Sequence, residues 1–169
     1  MIQNLEDLSR EELIKRVQLN AELAQVVDGL WFIAVEKDSD YDKALDLDID
    51  VWKNYVHVMI KRVQKYFNVS STGLAAVKDL LEYDPWLEFE VLEETPERLS
   101  VQVTRCPGLE AMEKMGRERL TCDPVEIIYL TELVESIDPG IKVTPIKLPP
   151  RLSPDDICCK WLFTLENNV

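Results

Sequence analysis

The chain has 169 residues, with 19 Lys and Arg set against 32 Asp and Glu for a formal charge of −13, and 46% of it is apolar. Its length suits one domain over residues 1–169, and its mix of apolar and charged residues suits a folded soluble protein with a sizeable core. The acidic balance argues against nucleic acid and membrane surfaces as partners, since both present negative charge.

Ser9, with Glu12 three residues on, forms a capping-box pattern that opens a long helix over residues 10–37. Along it Leu13, Val17, Ala24, Val27, Trp31, Ala34 and Val35 recur at three- and four-residue steps, and the second half is apolar nearly all round. That half is expected to be central and buried. It is too short to span a bilayer, because the apolar run over residues 26–35 is interrupted by Asp28. The first twelve residues lack the basic and apolar regions of a signal peptide, so a cytoplasmic location is expected.

Residues 38–50 are acidic and read as a helical turn at 41–45, then a cap at Asp48 or Asp50 before a second helix over 51–67. Trp52, Val56, Met59, Val63 and Phe67 make its inward stripe. Ser70, Ser71 and Thr72 offer caps for a third helix to about residue 82, which Asp84 and Pro85 stop. The period then changes to two. Leu87, Phe89 and Val91 alternate with Glu88 and Glu90, and Leu99, Val101 and Val103 alternate with Ser100, Gln102 and Thr104, which makes a hairpin. A short helix over 107–115 ends at Gly116, and another begins just after Cys122, with Pro124 in its first turn, and runs to Ile137. Two last strands, 141–148 and 157–165, flank a proline-rich link. Strands grouped as neighbouring pairs favour antiparallel pairing. The fold class is therefore α+β: N-terminal helices packed on a four-stranded antiparallel sheet, in the order αααββααββ.

His57 is the single histidine, so no two-histidine zinc motif forms within the chain, and the five glycines are too dispersed for a phosphate-cradling loop. Asp28 stands out because its neighbours are apolar and it shares the stripe of Trp31 and Val35. A carboxylate there must be paired, hydrogen-bonded or shifted in pKa. Asn20 lies two turns earlier on the same stripe, and Trp31 is placed to line a pocket for a planar ligand. Glu36 is expected to be solvated, and His57 to sit at the surface.

Four cysteines in a cytosolic protein are thiols, ligands or nucleophiles before they are disulfides. Cys122 stands at a helix N-terminus, where the macrodipole favours a thiolate. Strand parity puts Cys159 on the core face with Trp161, and Cys158 on the opposite face with Lys160. Cys106, Cys122 and Cys159 are expected to meet at one end of the sheet, as a nucleophile with helpers or as ligands of a metal ion. Their spacing matches no paired-cysteine zinc signature.

Several short stretches share one order and spacing: Asp28 to Phe32 with Val35 and Glu36, then Val51 and Trp52, then Cys106, Gly116 and Cys122. Ile137, Asp138 and Pro139 follow, with Pro149, Pro150, Cys159, Lys160, Trp161 and Phe163. In these the chain resembles a family of prokaryotic cytosolic proteins related to L-2-amino-thiazoline-4-carboxylate hydrolases, and its last strand is weakly similar to four-vinyl-reductase-type ligand-binding domains. Two positions depart from the hydrolase-like pattern: Met112 follows Ala111 where an arginine is expected, and Met59 stands where the second helix is expected to carry an acid. The resemblance implies an α+β fold and hydrolysis of a C–N bond in a small cyclic amidine-like ring. In that chemistry Asp28 would pair with the amidine or steer water, and Cys122 or Cys106 would act as nucleophile or metal ligand. Trp31, Asn20, Cys159 and Trp161 would contact the ligand. A noncatalytic ligand- or metal-sensing domain with the same pocket is the alternative, and homodimerisation is left open.

Overall fold

A computed structural model describes residues 5–70, 72–83 and 87–166. The Ser71 cap and the stop at Asp84 and Pro85 lie outside them. A 3-10 turn at Leu5–Asp7 leads into α1 (Arg10–Asp38), and both halves of the Ser9–Glu12 capping box are made. The rest of the order is α2 (Tyr41–Tyr66), α3 (Gly73–Glu82), β1 (Glu88–Glu94), β2 (Arg98–Arg105), α4 (Pro107–Lys114), α5 (Cys122–Ile137), β3 (Ile141–Lys147) and β4 (Cys159–Leu165). The fold is α+β in the expected order of elements. Gly116 ends α4 at φ 64°, the left-handed position that a glycine adopts without steric cost.

The sheet is antiparallel throughout, in the order β1-β2-β4-β3. Pro145 is tolerated because β3 is an edge strand. Leu99, Val101, Trp161 and Phe163 point from the two central strands to one face, where α3 and α5 cover them with Leu74, Val77, Leu80, Leu130 and Leu133. Each of these large side chains contributes roughly 1.5–3 kcal/mol by leaving water. Val56, Met59 and Val63 of α2 pack on α5, and α1 packs chiefly on α2, with a smaller contact to α4. The helices thus stack away from the sheet, and α1 is the outermost layer.

That stacking corrects three expectations. The second half of α1 is not a buried central helix: of its residues only Phe32 is buried, while Val26, Val27 and Leu30 keep more than half their surface exposed. An all-round apolar pattern cannot distinguish a helix surrounded by protein from one covered on a single side. Secondly, residues 41–66 form one continuous helix capped by Asp40, whose side chain accepts from Lys43 N–H at 2.8 Å. Asp48 is therefore not a cap but an interior helical residue, buried to 5% exposure. Thirdly, Val91 is 39% exposed, because β1 is an edge strand with register shifts on either side of Phe89 to Val91 that break the alternation.

Candidate functional site

A cavity of about 620 Å³ opens between α1 and the end of the sheet. Its walls come chiefly from five elements, each set there by local structure. α1 contributes Glu22, Gln25, Asp28 and Phe32, spaced to share one side of the helix, and α2 contributes Asp48 and Trp52, one turn apart. Cys106, Leu109 and Met112 come from the start and length of α4, Cys122, Glu126 and Tyr129 from one side of α5, and Cys158, Cys159 and Trp161 from the start of β4. Most of this lining is apolar.

Among its polar members, alongside Glu22, Gln25, Arg105, Arg117 and Glu126, is a carboxylate pair, Asp28 and Asp48. Asp28 is desolvated and its pKa is raised. Burial, together with the negative charge of Asp28, pushes Asp48 up to about 7 against a hydrogen bond from Trp52 that favours the ionised form. Asp48 Oδ1 is buried and has no hydrogen-bond partner among the described residues. A buried acceptor without a partner is costly, so this atom is a ready receptor for a donor brought in by a ligand.

All four cysteines line the cavity and are free thiols. Cys106 Sγ caps α4, accepting from Leu109 N–H at 3.4 Å, and Cys159 Sγ accepts from the Trp161 indole N–H at 3.1 Å. Burial pushes the thiols of Cys106 and Cys159 up to about 12. Cys122 is raised as well, by burial first and then by neighbouring Cys106 and Glu126, so the expected thiolate stabilisation at the start of α5 is overcome. Among the described residues no group of three or more His, Cys, Asp or Glu side chains is arranged to hold a metal ion. Cys106, Cys122 and Cys159 thus converge on one cavity. Cys158 is buried rather than outward, because it precedes the paired part of β4 and its backbone N–H turns in to Val103 O at 2.8 Å.

Arg117 holds the rim. Its guanidinium donates two hydrogen bonds to Glu36, at 3.0 and 2.7 Å, and lies 5.4 Å from the centroid of Phe32. Glu36 is therefore paired across to the segment after α4 rather than solvated. Asn20 is exposed and Trp31 is 38% exposed, and neither is among the cavity-lining residues. The side of α1 that faces inward carries Ala21, Gln25, Asp28 and Phe32, and Trp31 is rotated off it. His57 is exposed, with Nε2 at 3.7 Å from Glu132.

The match to one protein family runs over residues 6–165, nearly the whole chain. The chain belongs to DUF6125, a family of unknown function. No curated protein and no solved structure matches it. For this DUF6125 member the site therefore has to be read from its own residues, and the residue that sequence reasoning missed is Asp48. A signal for it existed. Trp52 at the fourth position onward repeats the acid-plus-aromatic pairing of Asp28 with Phe32, but the run of aspartates around Asp48 masks it. No helix among the described residues is long and apolar enough to cross a membrane.

Proposed function

We propose that this protein binds a small, largely apolar molecule carrying a cationic amine or amidine group, seated in the cavity with its N–H groups on Asp48 and Asp28. The observation that carries this reading is the unpartnered Asp48 Oδ1 beside a second desolvated carboxylate in a mostly apolar cavity. A cation entering there relieves the repulsion between the two acids and supplies the missing donor. The four free cysteines support a reducing, cytoplasmic setting.

Hydrolytic opening of a thiazoline-type ring is the reaction that the hydrolase resemblance suggests, and the Asp48 pKa of about 7 favours it over a nucleophilic thiol. Protonated Asp48 would donate to the ring nitrogen as the C–N bond breaks, and ionised Asp28 would take a proton from the attacking water. The noncatalytic alternative keeps the same pocket without turnover. A soft metal held by Cys106, Cys122 and Cys159 belongs to that alternative.

Calorimetric titration with benzamidine, neutral benzamide and benzoate tests the binding reading. Benzamidine is expected to bind at least about tenfold more tightly than the other two, a difference near 1.4 kcal/mol, and Asp48→Asn is expected to erase that preference. Equal affinity for all three in the native protein overturns it. Incubation with L-2-amino-thiazoline-4-carboxylate, read by mass spectrometry for a product one water heavier, separates turnover from binding. Bound zinc or iron in anaerobically purified protein, lost in Cys122→Ala, would favour the metal-sensing alternative.

A further inference from the structure

The polar residues in the middle of α1, Glu22, Gln25 and Asp28, line the cavity, whereas Val17, Leu23 and Val27 do not and are 64%, 52% and 67% exposed. An amphipathic helix at a protein surface normally turns its apolar stripe to the core and its polar side to water. α1 departs from that rule, since apolar residues stand on its exposed surface as well as at the cavity, where Val26, Leu30, Phe32 and Ile33 accompany the three polar side chains. Along the exposed side, Leu13, Val17, Asn20, Ala24, Val27 and Trp31 follow one another at steps of four, three, four, three and four residues. That alternation is the a/d spacing of a helix that packs against another helix, and from Leu13 to Trp31 it extends roughly 27 Å.

We propose that this seam pairs α1 with α1 of a second copy of the chain. Asn20 argues for a like partner. It is the one polar residue in the seam, and in a pair of identical helices its amide finds a polar partner in the matching amide rather than an apolar side chain. Charge disfavours one competing occupant, because a chain of net charge −13 is repelled by anionic lipid, which would otherwise suit an exposed apolar helix. The exposed apolar surface is of the right order. Leu13, Val17, Leu23, Val27, Leu30 and Trp31 are all at least 37% exposed, and with their flanking residues they approach the roughly 800 Å² per partner that a stable interface buries. Leu30 also lines the cavity, so the second copy would sit beside its rim.

Sedimentation of the full chain at tens of micromolar tests the proposal, and its readout is independent of any ligand. The native protein is expected at twice its 19.6 kDa chain mass, and the Val17→Glu, Val27→Glu double variant at the single mass with an unchanged far-ultraviolet dichroism spectrum. Neither position lines the cavity. If the double variant fails to fold, Asn20→Lys, one change at an exposed position, is expected to give the same dissociation. A native protein that sediments as a monomer, a dimer that survives these substitutions, or a monomer retained on phosphatidylcholine vesicles overturns it.

Discussion

Asp28 of α1 and Asp48 of α2 line one cavity from adjacent helices, close enough that the charge of the first raises the pKa of the second. Near neutrality the pair therefore resists carrying two full charges, and a proton or a cation must supply the difference. In the folded chain Asp48 titrates near 7, whereas an unfolded Asp titrates near its usual 3.8. Between those values the folded state holds a proton that the unfolded state has lost. Stability accordingly falls as pH rises through that window and levels off above it. Asp48→Asn removes this titration. The variant is expected to be more stable than the native protein at about pH 8, by roughly 1–3 kcal/mol, with a flatter profile below. Thermal melts between about pH 5 and 8 check this, and parallel profiles for the two proteins would show that Asp48 carries no such proton.

The Arg117–Glu36 pair ties the outermost helix to the segment following α4, at the rim of the cavity. Arg117 is only 18% exposed, and its fork matches the carboxylate in two bonds while its plane lies near Phe32. Arg117→Lys keeps the charge and loses the fork, so a cost of about 0.5–1 kcal/mol is expected; Arg117→Ala also loses the packing and should cost about 1–2 kcal/mol. Urea unfolding with an unchanged slope reads both values. Losses too small to measure would mean that the pair does not help hold α1.

The desolvated, protonated thiols predict slow chemistry. Cys106, Cys122 and Cys159 are expected to react with iodoacetamide at least about tenfold more slowly than free cysteine at neutral pH, because little thiolate is present. Cys158, at 1% exposure, should be slowest. Peptide mapping after timed alkylation resolves the four sites. Rapid labelling confined to Cys122 would restore it as a nucleophile candidate.

The elements were legible from the residues to within one or two positions at most ends. Capping residues, Gly116 and the change of period from helical to alternating are local signals, and local signals survive folding. The carboxylate at Asp28 was also legible, since an acid in an apolar helix is informative wherever that helix lies. Its partner was not. Asp48 sits among Asp42, Asp46 and Asp50, and only the phase of a continuous α2 separates one inward acid from three others at the surface.

The sequence by itself determined most of the helices, the paired strands and the antiparallel α+β class, and it offered the meeting of three cysteines as one reading. Only the tertiary structure decided which side of α1 faces inward. The apolar pattern there runs nearly all the way round, so hydrophobicity gives it no preferred direction, and the stacking of α1 on α2 sets the direction instead. That choice placed Asp28 beside Asp48, moved Asn20 and Trp31 off the cavity onto an exposed seam, and kept Cys122 protonated by burial against the pull of its own helix terminus.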